Sequence, residues 1–153
     1  MGRGEKAADL FSEGYNCAQA VFLAYADKFD IDQETAAKLA ASFGGGMGRL
    51  REVCGAVSGM FMVAGVLYGY DDPKASEEKK EHYARIQELA AKFKEENGSI
   101  ICRELLGLGA GADNPTPEIR TAEYYKKRPC KELVAMAADI LEEYINSEEK
   151  NNS

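Results

Sequence analysis

Apolar residues recur every three or four positions along almost the whole chain, and this spacing constrains the fold more than any other feature. Residues three or four apart share one face of an α-helix, whereas a half-buried strand needs an apolar residue at every second position. Ile86, Leu89, Ala90 and Phe93 illustrate the helical spacing, and strand-like alternation is almost absent. The sequence therefore predicts an all-α bundle of about six to eight helices.

Capping residues, prolines and glycines indicate where these helices begin and end. Asn16 and Asp32 are typical N-caps. The three glycines at 44–46 carry a large helix penalty, so a helix must stop there. The next helix is expected from about 51 to 68, and a later one from 116 to 127, because Pro117 suits the first helical position.

The chain has the size and uniform composition of one domain. A length of 153 residues is enough to bury an ordinary core, and no composition shift divides the chain. We expect a single all-helical domain over residues 1–153, with frayed tails at 1–4 and 147–153. The one sizeable loop is expected at 107–117, which is rich in Gly, Asn and Pro.

The net charge and the apolar stretches of the chain indicate its partners and its location. With 26 acidic and 19 basic residues the net charge is −7, which disfavours nucleic acid or an anionic membrane as the main partner. No apolar stretch has the form of a signal peptide or a membrane span, so a cytoplasmic location is expected. Thiols are usually reduced there, which favours redox catalysis or metal binding over structural disulfides.

Four isolated cysteines each fall near the start of a different predicted helix: Cys17, Cys54, Cys102 and Cys130. The positive end of a helix dipole and its free N–H groups favour thiolate over thiol, which makes a cysteine a better nucleophile and a better ligand. The alternative is that each is a small buried hydrophobic residue, because free cysteine is among the most buried residue types. The recurrence of the placement favours a shared site.

Glycines accompany Cys54 along its predicted helix. Gly55 and Gly59 are four residues apart, as are Gly65 and Gly69. Glycine inside a helix costs roughly 1 kcal/mol relative to alanine, so something nearby must compensate. Close helix packing is the favoured explanation for Gly65 and Gly69. For Gly55 and Gly59, packing and a cofactor resting on the bare helix face are equally good explanations.

The loop at 44–49 has two interpretations. Its backbone N–H groups, with Arg49 or Arg51, could cradle an anion, although no preceding strand or P-loop pattern supports a nucleotide site. A flexible linker that lets Cys54 meet the other thiols is the favoured role.

The spacing of the cysteines argues against some kinds of site and leaves others open. No C-x-x-C pair occurs, which weakens a zinc ribbon or a thioredoxin-like site. Scattered cysteines remain compatible with a metal or an iron–sulfur cluster, because ligands need to converge only in space. Two of them could equally form a reversible disulfide. The lone histidine, His82, lies in a charged helical segment and is expected at the surface.

One motif carries a family resemblance. Residues 54–59 read Cys-Gly-Ala-Val-Ser-Gly and fill a CGAxxG pattern, with one cysteine upstream and two downstream. Over about residues 7–144 the chain resembles the C_GCAxxG_C_C family of redox-active proteins. The resemblance implies a redox-active or metal-associated role for Cys17, Cys54, Cys102 and Cys130.

Three functions remain open at this point. The first is a thiol-dependent oxidoreductase in which these cysteines cycle between dithiol and disulfide, acting on a redox partner or small molecule. The second is a metal or iron–sulfur protein that uses the same cysteines as ligands. The third is a non-catalytic helical interaction module. Apolar residues such as Met60, Phe61, Met62, Tyr124 and Tyr125 leave room for a homodimer but are more simply core residues.

Overall fold

The computed structural model describes residues 1–152 and has an all-α fold, as predicted. Over these residues strand pairing is confined to one antiparallel bridge between Val53 and Ile101. The helical segments are α1 (Arg3–Ser12), α2 (Cys17–Leu23), α3 (Gln33–Ala41), α4 (Gly44–Met47), α5 (Gly55–Tyr68), α6 (Ser76–Asn97), α7 (Cys102–Leu105), α8 (Ala122–Lys127) and α9 (Cys130–Asn151), with a short 3₁₀ turn at Ala26–Lys28.

The centre of the bundle is the pair α2 and α5. Five of the seven residues of α2 are buried, and α5 is buried without interruption over residues 55–60. Helix α9 packs against α1, α2 and α5, and α6 packs on α5 and α9. The buried hydroxyl of Tyr25 donates a hydrogen bond to the carbonyl of Ala138 at 2.8 Å. A helix that is apolar on all sides belongs in such a core.

Two of the predicted N-caps are confirmed. Asn16 caps α2 through the N–H of Gln19, and the Gln19 side chain accepts in return from the N–H of Asn16. Asp32 caps α3 through the N–H of Thr35 at 3.0 Å. Because Asn16 fixes the first turn of α2, it also fixes the position of Cys17, the first residue of that helix.

Helix α5 begins at Gly55, four residues later than expected from Arg51. Arg51 has a φ of 62°, in the left-handed region, and the next residues form the bridge to the 100–102 segment. The glycine segment is also not a flexible linker. Gly45 and Gly46 have φ of 68° and 67°, and the turn is held by backbone hydrogen bonds from Gly48 and Glu52.

Helix α8 begins at Ala122 rather than near Thr116. Thr121 is the cap, because its hydroxyl accepts from the N–H of Tyr124 at 3.2 Å. Arg120 bonds instead to the carbonyls of Phe11 and Tyr15, which lie on another part of the bundle. These contacts hold the residues before Thr121 out of a helix.

The terminal segments differ from the expected frayed tails at 1–4 and 147–153. Helix α1 already begins at Arg3, whose guanidinium bonds to Asp27, and the N–H of Gly4 donates to Asp139. Helix α9 continues to Asn151, while Ser153 lies outside the described residues. Glu and Lys are good helix formers, so the charged end of α9 can extend the packed helix.

Two further features concern membrane-spanning helices and a homodimer. Among the described residues, no helix is long and apolar enough to span a membrane. Of the apolar residues considered for a homodimer, Met60 is buried and the others are partly buried against the core, namely Phe61, Met62, Tyr124 and Tyr125.

Candidate functional site

All four cysteines line one cavity of about 410 Å³. Cys17, Cys102 and Cys130 are the first residues of α2, α7 and α9, and Cys54 is the N-cap of α5. The predicted placement at four helix starts is therefore confirmed. All four are free thiols. Helix ends that are far apart in sequence thus meet at one point of the fold.

A short backbone pairing brings Cys54 and Cys102 together. The N–H of Cys54 donates to the carbonyl of Ile100 at 2.8 Å, and the N–H of Cys102 donates to the carbonyl of Glu52 at 2.6 Å. Both hydrogen bonds flank the bridge between Val53 and Ile101. The starts of α5 and α7 are therefore fixed relative to each other. Cys54 and Cys102 are also the more buried pair, with exposed fractions of 6% and 7%.

The glycine turn and α5 position Cys17. The N–H of Gly45 donates towards the Cys17 sulfur and favours its thiolate. On the other side, a Cβ on Gly55 would overlap Cys17 Sγ and would lie 2.9 Å from the carbonyl oxygen of Phe43. Gly55 is therefore required by close packing against a site cysteine, and it also lines the cavity.

The other glycines of this helix have different surroundings. A Cβ on Gly59 would lie 2.8 Å from the carbonyl oxygen of Ala18 and 3.0 Å from Val21, so its bare face is covered by α2 and does not line the cavity. The packing explanation expected for Gly65 is wrong, because nothing lies within 4 Å of a Cβ there. Gly69 follows α5 as its C-cap.

Arg51 connects Cys102 to the loop before α8. Its Nη1 donates to Cys102 Sγ at 3.5 Å, and its Nε donates to Asp113 Oδ2 at 2.8 Å. Only 5% of Arg51 is exposed. A buried guanidinium beside a sulfur favours the negatively charged thiolate. Cys102 is therefore the thiol that has a cationic hydrogen-bond donor.

Burial is the largest influence on the pKa of Cys17, Cys54 and Cys130. It raises the pKa of Cys17, Cys54 and Cys130, the last to about 12. The charges of Cys17 and Cys102 further raise the pKa of both Cys54 and Cys130, and the charge of Cys102 raises that of Cys17. Cys17 and Cys102 are therefore the two thiols that interact electrostatically with all the others.

Residues 107–121, which we call the strap, cover one side of the cavity. The strap is attached near its middle through Asp113, which bonds to Arg51 and also contacts Arg49 Nη2 at 3.7 Å. Further along, Arg120 donates to the carbonyls of Phe11 and Tyr15 and lies 3.9 Å from the Phe11 ring centroid. Arg49 Nε also donates to the carbonyl of Asn114 at 2.8 Å, and the N–H of Asp113 donates to the carbonyl of Arg49 at 3.0 Å. The strap is therefore tied to the bundle at several places along its length.

A second group of polar residues in the lining surrounds Cys130. Arg128 Nη2 donates to Glu118 at 2.7 Å, and this contact lowers the pKa of Glu118. The Tyr124 hydroxyl and Arg128 both favour the Cys130 thiolate, although burial outweighs them. Burial raises the pKa of Tyr124 itself to about 12, so it remains a proton donor at neutral pH.

Sequence reasoning identified the cysteines, Arg49 and Arg51 but missed most of the remaining polar lining. Arg128 could have been suspected from its position two residues before Cys130. No sequence pattern marked the other polar residues that line the cavity, because the strap and the start of α8 reach it through long-range contacts: Glu118, Arg120 and Tyr124.

The described residues contain no preformed set of metal ligands. Within residues 1–152, no group of three or more His, Cys, Asp or Glu side chains is close enough to hold a metal ion. His82 lies on α6, where its Nδ1 is 3.0 Å from Arg85 Nη1, and it does not line the cavity. What the arrangement offers is four thiols that line one cavity, one cationic donor to a sulfur and a shared space for a small reactant.

One comparison with known proteins gave a match. A family model described as "Putative redox-active protein (C_GCAxxG_C_C)" matches residues 15–144, a range that includes all four cysteines. No curated protein and no solved structure matched the chain. With its CGAxxG segment at the start of α5 and its four cysteines around one cavity, this chain belongs to the C_GCAxxG_C_C family.

Proposed function

We propose that this protein is a thiol-dependent oxidoreductase whose clustered cysteines exchange between dithiol and disulfide. The observation that carries the proposal is the convergence of four free thiols on one cavity, with a buried guanidinium donating to one of them. The family description agrees with a redox role in general terms. No comparable observation favours the metal alternative.

Cys102 is the attacking thiolate in this proposal, because Arg51 supplies positive charge at its sulfur. It attacks one sulfur of a small disulfide, forming a mixed disulfide, and the other half leaves as a thiolate that takes up a proton. Cys17 then attacks Cys102 Sγ, releasing the second half as a thiol. The substrate disulfide gains two electrons and the protein dithiol loses two.

The charge of Cys102 raises the pKa of Cys17, Cys54 and Cys130 alike. We take Cys17 as the partner because the N–H of Gly45 donates towards its sulfur and Gly55 leaves room for that sulfur beside α5. The N–H of Gly45 favours the Cys17 thiolate when it forms. Cys54 and Cys130 line the same cavity and respond to the charges of Cys17 and Cys102. They are expected to tune the exchange or to accept the disulfide in a later step.

A thiol count before and after exposure to a small disulfide tests the proposal. We expect the reduced wild-type protein to fall from four free thiols to two, with the new bond mapped by peptide mass spectrometry to Cys17 and Cys102. Cys102→Ser should abolish the fast loss. Cys130→Ser is the matched control and should still lose two thiols. A wild-type count that stays at four, with elemental analysis of anaerobically purified protein showing bound metal, would replace this proposal with the metal alternative.

A further inference from the structure

The cavity differs in charge from the rest of the molecule. The chain has a net charge of −7. Yet the described side chains that line the cavity include one carboxylate, Glu118, and four guanidinium groups, those of Arg49, Arg51, Arg120 and Arg128. An electropositive concavity in an acidic protein raises the local concentration of anions and repels cations.

The guanidinium charges are only partly neutralised by the protein. Asp113 serves both Arg49 and Arg51, and Glu118 serves Arg128. Arg120 makes its hydrogen bonds to backbone carbonyls, which bear no net charge. These bonds hold each guanidinium in place while leaving positive charge to face the cavity. Arginine held in this way is well suited to recognise carboxylates.

The dimensions of the site point to a small molecule. A cavity of about 410 Å³ is in the range that holds small ligands. Cys54 and Cys102 are more than nine-tenths buried, so a disulfide on the surface of a folded protein would not reach them. Apolar side chains such as Leu105, Leu106 and Leu133 complete the lining and can contact the carbon chain of such a reactant.

We propose that the substrate of this site is a low-molecular-weight disulfide that bears carboxylate groups, bound by the cavity arginines with its sulfur–sulfur bond at the cysteines. This inference rests on the proposed exchange function and adds the substrate class. The chemistry is the exchange already described: the carboxylate-bearing disulfide is reduced to two carboxylate-bearing thiols as the protein dithiol becomes a disulfide.

The test compares three symmetrical disulfides that differ in charge: 3,3′-dithiodipropionate, bis(2-hydroxyethyl) disulfide and cystamine. Thiol loss is followed in the reduced protein and, as a reference for intrinsic reactivity, in free dithiothreitol. Relative to that reference, we expect the dianion to react at least about tenfold faster than the dication. High salt should reduce the difference, because mobile ions screen charge. If the three disulfides react with the protein at the same relative rates as with dithiothreitol, the inference is overturned and the exchange function still stands.

A charge variant and an inert ligand make the test specific. Arg128→Gln keeps a hydrogen-bond donor for Glu118 and should slow the dianion selectively. Lys126→Gln removes the same charge two residues away from an exposed position on α8 and should not. Suberate, which has the chain length of dithiodipropionate without sulfur, should bind the reduced protein in calorimetry, whereas 1,8-octanediol should not. If suberate binds but no disulfide alters the thiol count, the exchange function and its substrate both fail, and only an anion site remains.

Discussion

Cys130 is subject to opposing influences. Its place at the start of α9 and its neighbours Arg128 and Tyr124 favour the thiolate, whereas burial and the charges of Cys17 and Cys102 favour the thiol. Burial is the largest of these, and it raises the pKa to about 12. The helix start therefore does not by itself make this cysteine reactive.

This balance predicts how the alkylation of Cys130 depends on pH. A raised pKa leaves the residue protonated at neutral pH, so the thiolate fraction, and with it the rate, should increase about tenfold per pH unit up to about pH 12. An ordinary thiol levels off above about pH 8.5. The measurement is iodoacetamide labelling at several pH values in the alkaline range where the protein remains folded, with Cys130 quantified by mass spectrometry. Urea-unfolded protein is the control, and a plateau near pH 9 in the folded protein would show that the helix start outweighs burial.

Helix α5 contains glycines that look alike in sequence and differ in surroundings. Gly59 faces the backbone of α2, whereas a Cβ at Gly65 meets open space. Alanine should therefore stabilise the protein at Gly65, by about 0.5–1 kcal/mol, because it restricts the unfolded chain and suits a helix better. At Gly59 alanine should lower the free energy of unfolding by about 1–3 kcal/mol, because the methyl group would push the helices apart.

Urea unfolding of Gly65→Ala and Gly59→Ala measures both effects within the same helix. Equal and favourable changes in the two variants would contradict the close approach of α2 to α5. A loss of stability at Gly65 would instead indicate a contact, such as a second copy of the chain, on the face that is open in the monomer.

The same helix shows what the sequence could predict about the fold. Apolar periodicity and the Asn16 cap correctly indicated helices, because those signals are local. The sequence could not reveal that α5 begins at Gly55, because that depends on Val53 pairing with Ile101, 48 residues away. Nor could it distinguish Gly59 from Gly65, since the difference lies in which helix approaches each face.

For the molecule as a whole, helix starts at Cys17, Cys102 and Cys130 were predictable because a cap residue or a proline lies just before each, whereas Cys54 was expected only near the first turn of its helix. The cavity that the four cysteines share was not predictable. It depends on the strap, whose position is determined by long-range contacts such as Asp113 to Arg51 and Arg120 to the carbonyl of Tyr15. Such contacts join residues 62 and 105 positions apart, and no periodic pattern encodes them.

The strap leads to a prediction about access to the site. Asp113 binds both Arg49 and Arg51, so Asp113→Asn should weaken the attachment of the strap. Because the Asp113 side chain is 40% exposed, we expect the free energy of local opening of the strap to fall by only about 1 kcal/mol. This corresponds to about fivefold faster amide exchange over residues 107–121. Amides of the central helices α2 and α5 should not change. Hydrogen exchange followed by mass spectrometry measures both regions in one experiment.

Loosening the strap should also change the chemistry beneath it. Asp113 holds the Nε of the guanidinium whose Nη1 donates to Cys102, so the Asn variant should expose Cys102 while leaving Arg51 less well oriented. We therefore expect faster alkylation of Cys102 by a neutral reagent, together with slower exchange with a carboxylate-bearing disulfide. Asp71→Asn, in the exposed loop between α5 and α6, removes the same charge and should do neither. Unchanged exchange over 107–121 in the Asp113 variant would mean that these ion pairs do not hold the strap, and that the hydrogen bonds of Asn114, Glu118 and Arg120 hold it instead.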